Sequence, residues 1–221
     1  MIQPQLLILG LGSRSTLYYL KELNRLYNEK KGGYSTCPLI LLNTDFDKIN
    51  PLLPNTSAQL DAVIQSYLDK IATLEIALVV FPNITLHETL DRLEIKKNII
   101  HPLHLSGSKI QENKWGKVVL FGSLHSMQSN YIRSYFELNS IEVVIPSPSD
   151  MLFIDEVRKH VYNETETKEI INNYHSLIKE YAKNYPVVLC CTELSIVKPI
   201  GEINIIDMVQ MQIEKAVNSI L

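Results

Sequence analysis

Short hydrophobic runs alternate with longer amphipathic segments along the chain of 221 residues. In the first half, the runs predict buried strands and the segments between them predict helices. The predicted strands cover residues 6–9, 38–45, 76–81 and 99–100, and the predicted helices cover about 15–28, about 57–74 and a segment that starts near 83–87. We expect an irregular loop at 48–56, where two prolines interrupt the pattern, and a linker at 101–102. Because strands and helices alternate, this half predicts a parallel sheet.

The second half repeats this order of elements. Strands are predicted at 117–121, 141–145 and 187–191, with a helix from the turn at 122–127 to about 138 and a helix-rich segment at 151–184 after a loop with two prolines. The last segment, 203–221, should begin with a short strand and end in a helix whose apolar face packs on the first lobe. We therefore predict an α/β protein with two pseudo-symmetric lobes, each a mainly parallel sheet flanked by helices. The first lobe comprises 1–102 and 207–221, and the second comprises 103–206.

The strand at 187–191 ends in reactive side chains. A buried parallel strand that stops at Cys191-Thr192-Glu193 delivers a thiol and a carboxylate to the sheet edge where open α/β sheets bind ligands. Neighbouring side chains of a strand point to opposite faces, so only one of Cys190 and Cys191 can face a site. We assign Cys191 to the site and Cys190 to the core. Taken alone, the stretch also fits two core cysteines.

A glycine-rich turn follows the first strand. Gly10-Leu11-Gly12-Ser13-Arg14 connects that strand to a helix, and such a turn lets the backbone approach a carboxylate or a phosphate closely. The third glycine of a dinucleotide fingerprint does not follow at the required spacing. We therefore expect no nicotinamide or flavin cofactor.

Composition narrows the function classes further. The formal net charge is -3 and the lysines are dispersed, which argues against a nucleic-acid partner. No apolar run approaches the ~20 residues that span a bilayer, so we expect no membrane segment. The 3 cysteines lack the spacing of metal ligands or of a disulfide framework, and no signal peptide is recognisable. These features favour a cytoplasmic protein without a bound metal.

Several motifs follow one another along nearly the whole chain. They are the turn at 10–16 with Tyr19 shortly after it, the middle turn Gly122-Ser123-Leu124-His125-Ser126, the sequence Cys191-Thr192-Glu193, and Asp207 in the last strand-to-helix turn. In this order they resemble the aspartate/glutamate racemase superfamily of cofactor-independent amino-acid racemases, and most of all its aspartate racemase branch. The middle turn of that family is of Gly-Thr-x-x-Thr type, so serine stands in both hydroxyl positions here.

The resemblance implies a fold, a mechanism and a substrate class. It implies two similar α/β lobes with the active site in the interlobe cleft, and a homodimer. One thiolate of such an enzyme removes the α-proton of an amino acid, and a second thiol returns a proton to the opposite face. Thiols suit this task because their pKa is about 8.5. No cofactor takes part, so backbone N–H groups and hydroxyls must stabilise the carbanion. The implied substrate is a small acidic amino acid, aspartate or glutamate.

The sequence departs from the family at the first catalytic cysteine. The family motif is Cys-Asn-Thr-x-His, whereas this chain has Asn83-Ile84-Thr85-Leu86-His87, so Asn83 replaces the thiol. An amide cannot act as a base near neutral pH. Three alternatives remain open. Thr85 supplies a hydroxyl opposite Cys191 in an enzyme that favours one enantiomer; the chain is a single-cysteine relative of the kind that decarboxylates malonates; or a degenerate enzyme binds an amino acid or a dicarboxylate without turnover.

The expected site residues combine the resemblance with the chemistry of the turns. The catalytic group comprises Cys191, Thr85 and Asn83. The substrate-binding group comprises Gly12, Ser13, Arg14, Lys48, His87, Ser123, Ser126, Thr192 and Glu193. Lys48 lies in the loop where relatives place a basic residue for the side-chain carboxylate of the substrate. The leading expectation is a cofactor-independent amino-acid racemase or isomerase with Cys191 as acid/base, and the rival is a non-catalytic binding protein.

Overall fold

The computed structural model describes residues 5–201 and 204–221 of the chain. The chain divides into two compact units, Met1–His101 with Gln212–Leu221, and Pro102–Met211. Each unit contains one parallel sheet of four strands with helices around it. This confirms the predicted α/β class with two similar lobes. The bounds predicted from the sequence put 207–211 with the first lobe, whereas the structure groups these residues with the second unit.

The first unit contains a sheet with the strand order β2-β1-β3-β4. Its strands are β1 (Gln5–Gly10), β2 (Leu39–Asn43), β3 (Ile76–Val80) and β4 (Asn98–Ile99). Its helices before the second unit begins are α1 (Ser13–Lys31), α2 (Ala58–Ala72) and α3 (His87–Leu90). The apolar run 6–9 makes β1 a central, fully buried strand. The apolar face of α2, with Leu60, Ile64 and Leu68, joins the same hydrophobic core.

The second unit contains a sheet with the strand order β6-β5-β7-β8. Its strands are β5 (Lys117–Phe121), β6 (Glu142–Val144), β7 (Val187–Leu189) and β8 (Ile205–Asp207). Its helices are α4 (Pro102–Glu112), α5 (Leu124–Gln128), α6 (Asn130–Leu138), α7 (Pro148–Tyr162), α8 (Lys168–Ala182) and α9 (Thr192–Ile196). The last helix, α10 (Met208–Ile220), begins in the second unit and ends in the first. The predicted start of the last strand, Ile203, lies outside the described residues.

The two sheets repeat one topology. In each, the strand that comes first in sequence lies between the second and the third, and all neighbouring strands are parallel. In the first sheet, the chain therefore places β2 on one side of β1 and β3 on the other, so the strand order reverses between β1 and β3. In the second sheet, the same reversal lies between β5 and β7. Ligands of open α/β sheets bind outside the carboxyl ends of the strands at such a reversal. The turns that follow these four strands are the places to look for a site.

Some elements differ from the expectations. The strand β2 was expected to be buried, but it lies at the edge of its sheet and Leu41 is 39% exposed. Residues 101–102 are not a linker, because α4 begins at Pro102, and proline fits the first turn of a helix. The predicted helix up to 138 is divided at Ser129, whose hydroxyl accepts the N–H of Ile132 at 3.3 Å and caps α6.

Two predicted loops contain regular structure. The segment 48–56 was expected to be irregular, but 3-10 turns cover Phe46–Lys48 and Asn50–Leu52. Pro148 was expected in a loop, yet it is the first residue of α7, where a missing N–H removes no helical hydrogen bond. The hydroxyl of Ser147 accepts the N–H of Asp150 and caps this helix. Short proline-containing segments thus start helices as well as interrupt them.

Candidate functional site

The turn after β1 groups three of the predicted binding residues. The carbonyl of Gly10 accepts hydrogen bonds from the N–H of Thr44 at 3.1 Å and from its hydroxyl at 2.7 Å, which fixes the turn against the end of β2. Gly12 has a φ of 82°, a conformation that favours glycine, and it precedes α1 directly. Ser13 is exposed and Arg14 is half-buried at the first two positions of that helix.

The segment after β3 contains three of the predicted site residues, Asn83, Thr85 and His87. The side-chain Oδ1 of Asn83 accepts the N–H of Leu86 at 3.0 Å. The backbone carbonyl of Asn83 accepts a hydrogen bond from Nδ1 of the buried His87 at 2.9 Å, so a neutral His87 carries its proton on Nδ1. Thr85 lies half-buried between them. Asn83 and His87 therefore stabilise this turn through their hydrogen bonds.

The two turns lie at the same edge of the first sheet. The neighbouring strands β1 and β3 pair Ile8 with Val80, so their carboxyl ends are adjacent. Lys48 lies in the first of the 3-10 turns; its side chain is 75% exposed, and its Nζ is 3.3 Å from Oδ2 of Asp45. An exposed ion pair of this kind is weak, so Lys48 is not held in one orientation.

The turn after β5 contains the two predicted serines. The hydroxyl of Ser123 accepts the N–H of Ser126 at 3.1 Å and caps α5, and the two hydroxyl oxygens are 2.9 Å apart. Ser123 is half-buried and Ser126 is buried. The neighbouring strands β5 and β7 pair Phe121 with Leu189, so this turn lies beside the end of β7. The hydroxyls are thus adjacent in the fold to the segment that follows β7.

The segment after β7 separates the two adjacent cysteines. The thiol of Cys190 donates to the carbonyl of Phe121 at 3.3 Å inside the unit. The thiol of Cys191 donates to Oε2 of Glu193 at 2.9 Å. Cys191 is 9% exposed and Glu193 is half-buried, whereas Thr192, the first residue of α9, is buried. Cys191 and Glu193 therefore form a hydrogen-bonded pair at the carboxyl end of a central strand.

The surroundings of Cys191 keep its thiol protonated. Burial raises the pKa of Cys191 well above its ordinary value, and the charge of Glu193 and the hydrogen bond to it raise this pKa further. The positive charge of Arg158 acts in the opposite direction. The Cys191 thiol is thus a proton donor, and its acceptor is the carboxylate of Glu193.

Arg158 is a candidate site residue that the sequence analysis missed. It lies on α7 with its side chain 24% exposed, and its Nε donates to Oδ1 of Asp155 at 2.9 Å. Burial alone would lower the pKa of Arg158, but the hydrogen bond to Asp155 and the electrostatic interactions with Cys191 and Glu193 outweigh burial and raise it. Arg158 is therefore the positive charge that acts on the thiol and its carboxylate partner.

Asp155 was also missed, although the sequence contains a signal for it. The buried face of α7 includes Ile154, Asp155 and Val157, so an acidic residue interrupts an apolar face. Arg158 and Lys159 follow at the i+3 and i+4 positions, where helical side chains meet. A buried acid with two such bases predicts an ion-pair cluster. The sequence does not show that Arg158 of this cluster acts on Cys191, because the interaction joins residues far apart in the chain.

A second buried acid holds the segment after Cys191. Asp207 accepts hydrogen bonds from the hydroxyl of Ser195 at 2.8 Å and from Nζ of Lys198 at 2.6 Å. Its Oδ1 also accepts the N–H groups of Val209 and Gln210, which caps α10. The N–H of Ser195 donates to the carbonyl of Cys191 at 3.2 Å. Asp207 therefore ties α9, which begins next to the thiol, to the start of α10.

The predicted site residues thus form two groups, one at the carboxyl edge of each sheet. The first sheet has the glycine turn and the Asn83–His87 segment, and the second has the serine turn and Cys191 with its neighbours. Within residues 5–201 and 204–221, no three histidine, cysteine or acidic side chains come together as metal ligands. None of the described helices combines the length and apolar character needed to cross a bilayer.

Solved structures share the fold of this chain. An aspartate racemase homologue from Pyrococcus horikoshii OT3 is similar with a TM-score of 0.83 at 20% identity, over 97% of this chain and 98% of that chain. The Picrophilus torridus aspartate racemase has a TM-score of 0.75 at 19% identity, over 98% and 94%. For a glutamate racemase isoform from Bacillus anthracis the TM-score is 0.60 at 14% identity, over 98% and 81%. The chain has the fold of these racemases.

The racemase fold agrees with the resemblance drawn from the motifs. The TM-scores of 0.83 and 0.75 for the aspartate racemase homologue and the aspartate racemase exceed the 0.60 of the glutamate racemase. No protein-family model matches the chain, and no curated protein sequence matches it either. The comparisons therefore establish the fold, and the chemistry must be argued from the residues of the site.

Proposed function

We propose that the protein is a cofactor-independent amino-acid racemase or isomerase that acts on a small acidic amino acid, aspartate or glutamate, with Cys191 as acid/base. The observation that carries the proposal is the hydrogen bond of 2.9 Å from the Cys191 thiol to Glu193 at the end of β7. A thiol with a carboxylate acceptor can lose its proton locally and regain it. Such a pair suits the removal and return of an α-proton.

The proton follows a short path. The S–H proton of Cys191 moves to Oε2 of Glu193, and the resulting thiolate removes the α-proton of the substrate. The electron pair of the broken C–H bond remains on the substrate as a carbanion delocalised into its α-carboxylate. The S–H proton exchanges with solvent, a proton then returns from Sγ to carbon, and Glu193 returns the first proton to the thiolate. No electron-sink cofactor takes part in this sequence.

Arg158 is the candidate for binding a carboxylate of the substrate. A guanidinium has five N–H donors, and the Nε–H of Arg158 donates to Asp155 at 2.9 Å. Within the part of the chain that the structure describes, neither terminal nitrogen of Arg158 has a hydrogen-bond partner. These two nitrogens match the paired oxygens of a carboxylate. The hydroxyls of Ser123 and Ser126 are further candidates for polar contacts with the substrate.

Asn83 restricts the stereochemistry of the proposed reaction. Its amide accepts a hydrogen bond from Leu86 and has no basic group, so it cannot replace a second thiol. A single thiol returns the proton to the face from which it came. Cys191 acting alone therefore gives exchange of the α-proton with solvent and retention of configuration for one enantiomer. Inversion requires a donor on the opposite face, for which Thr85 is the candidate.

Proton NMR in deuterated buffer tests the proposal. The α-proton signal of L- or D-aspartate or glutamate should disappear with the wild-type protein, and chiral analysis should reveal whether configuration is retained. Removing an acid/base group lowers rates by about 100-fold or more, so Cys191→Ala should lose the exchange. Cys37→Ala removes a buried thiol of the first unit, far from Cys191 in the sequence, and it should retain the exchange. Exchange that persists unchanged in Cys191→Ala would refute the proposal.

The role of Asn83 in its turn also favours a second candidate, a protein that binds an acidic amino acid without turnover. Its signature is thermal stabilisation by aspartate or glutamate with no α-proton exchange. A single-cysteine decarboxylase is the third, and release of carbon dioxide from a substituted malonate identifies it. The homodimer and the cytoplasmic location stay predictions. Size-exclusion chromatography with light scattering measures the first of these.

A further inference from the structure

Asp155 is a buried carboxylate that the proposed proton path does not use. It is 5% exposed, yet both of its oxygens have donors. Oδ1 accepts the N–H of Leu124 at 3.2 Å and the Nε–H of Arg158 at 2.9 Å, and Oδ2 accepts from Nζ of Lys159 at 2.7 Å. Burial would raise the pKa of Asp155, but the hydrogen bonds from Lys159 and Arg158 outweigh burial and lower it. Asp155 is thus a charged anchor.

The partners of Asp155 belong to the candidate site. Leu124 is the first residue of α5 and lies between Ser123 and Ser126, so its N–H links the serine turn to α7. Arg158 lies on α7, which packs against α9, the helix that begins directly after Cys191, and its positive charge acts on Cys191. Lys159, whose side chain is 62% exposed, supplies a second positive charge at the surface. The carboxylate of Asp155 therefore connects the serine turn at the start of α5 with the guanidinium of Arg158 on α7.

The contact through Nε determines how Arg158 can act. A guanidinium is planar and rigid, so fixing Nε restricts the directions open to the two terminal nitrogens. Those nitrogens remain available for a ligand, as described above. An arginine side chain without such an anchor would lose this orientation, because it has many rotamers of similar energy.

We propose that Asp155 is a positioning residue that aims Arg158 at the carboxylate of a ligand held beside Cys191. The proposal rests on the proposed function, since it concerns how the same site recognises a carboxylate. It goes further in naming the residue that organises this recognition without touching the ligand. The hydrogen bond to Leu124 holds the serine turn in the same arrangement.

Two alkylating reagents test this proposal without an assay of activity. The Cys191 thiolate attacks the CH₂ carbon of iodoacetate or iodoacetamide; an S–C bond forms, the C–I bond breaks and iodide leaves. The reagents are similar in size, but only iodoacetate has a carboxylate. The ratio of their rates at Cys191 is therefore insensitive to thiolate fraction and exposure, and it reports a carboxylate-binding cation beside the sulfur. Tandem mass spectrometry distinguishes Cys191 from Cys190, and free N-acetylcysteine amide is the reference thiol.

The expected ratios distinguish positioning from charge. The wild-type ratio should exceed that of the reference thiol, and Arg158→Gln should lower it about tenfold, as the loss of one charge-assisted hydrogen bond implies. Asp155→Asn should lower it nearly as far, and Asp155→Glu, which keeps the charge, should lie between Asp155→Asn and wild type. If Asp155 acted only through its negative charge, it would repel iodoacetate. Removing that charge would then raise the ratio of the iodoacetate rate to the iodoacetamide rate. In the Arg158→Gln background, Asp155→Asn should have no further effect.

The matched control is Glu156→Gln. It removes a carboxylate from the next position of α7, where the side chain is 63% exposed, and the ratio should stay unchanged. An unchanged or higher ratio in folded Asp155→Asn would overturn the proposal, as would a wild-type ratio equal to that of the reference thiol. If Asp155→Asn does not fold, a wild-type ratio in Asp155→Glu overturns it. If the alkylation ratios are as expected but no α-proton exchange is found, the racemase activity is refuted and the positioning role of Asp155 is not.

Discussion

At the level of single residues, Cys190 and Cys191 have the same thiol in different surroundings. Cys190 donates to a backbone carbonyl, and burial raises its pKa to about 12. Cys191 donates to the carboxylate of Glu193 and also experiences the charge of Arg158. The difference follows from side chains that point to opposite sides of the extended chain. Only Cys191 has a neighbour that can accept its proton.

Replacing Glu193 should make the Cys191 thiol more acidic. After burial, the charge of Glu193 and the hydrogen bond to it are the largest causes that raise the pKa of Cys191, so Glu193→Gln should lower this pKa. The rate of alkylation by iodoacetamide, measured at Cys191 against pH, should reach half its maximum at a lower pH. A shift of about one unit corresponds to about tenfold faster alkylation at a fixed pH below the midpoint.

The control for this prediction is Glu137→Gln, a replacement at an exposed position of α6. It should leave the midpoint unchanged, because an exposed charge is screened by solvent. A midpoint that stays constant or rises in Glu193→Gln would show that Glu193 does not govern the protonation of Cys191. The proposed proton path would then lack its acceptor.

At the level of elements, the turn between β5 and α5 depends on a glycine. A Cβ added at Gly122 would lie 2.5 Å from Sγ of Cys190 and 3.0 Å from Cβ of Ser126. Real Cβ atoms do not approach a sulfur so closely, so β5 and β7 can have this spacing only with a hydrogen at that position. The sequence pattern Gly-Ser-x-x-Ser therefore combines a close approach of the backbone with the cap of α5.

The replacement Gly122→Ala should destabilise the protein. Overpacking a buried site lowers the free energy of unfolding by about 1–3 kcal/mol, and urea denaturation measures this change. The effect should be smaller in a Cys190→Ala background, because that variant lacks the sulfur that the new methyl group meets. Gly116→Ala is the matched control in the same unit, since its Cβ would have nothing within 4 Å. Equal losses in Gly122→Ala and Gly116→Ala would contradict the prediction.

Elements that the sequence predicted well have a strong local pattern. The apolar runs that became β1, β5 and β7 are buried on both faces, and such runs are distinctive. Edge strands and helix starts depend on tertiary context. Leu41 is as apolar as the core residues, but β2, the strand that contains it, lies at the edge of its sheet beside β1. Arg158 and Asp155 were missed for a related reason, since the hydrogen bond of Asp155 with Leu124 and the electrostatic interaction of Arg158 with Cys191 join distant segments. Local spacing predicts their ion pair but not its position beside the thiol.

At the level of the whole molecule, one strand order occurs twice, and each copy buries at least one thiol. Cys37 is in the first unit, and Cys190 and Cys191 are in the second; all three are free and buried. The repeated order of elements along the chain was predictable, because their alternation is visible in the sequence twice. Burial raises the pKa of Cys37 to about 11 and that of Cys190 to about 12. A property of the entire fold, its stability at alkaline pH, follows from these values.

The protein should lose stability above about pH 8.5, where thiols of the unfolded chain lose their protons. The folded state keeps these protons until the pH approaches about 11 for Cys37 and about 12 for Cys190, so it binds more protons than the unfolded state and its stability falls as pH rises. Each fully buried thiol contributes a slope of about 1 kcal/mol per pH unit in this window. Urea denaturation with a reductant from pH 7 to 10.5 measures the slope, and Cys190→Ala should reduce it. Tyrosine ionisation affects the wild-type protein and Cys190→Ala alike. Identical slopes of stability against pH in these two proteins would therefore mean that the fold does not hold the Cys190 thiol protonated.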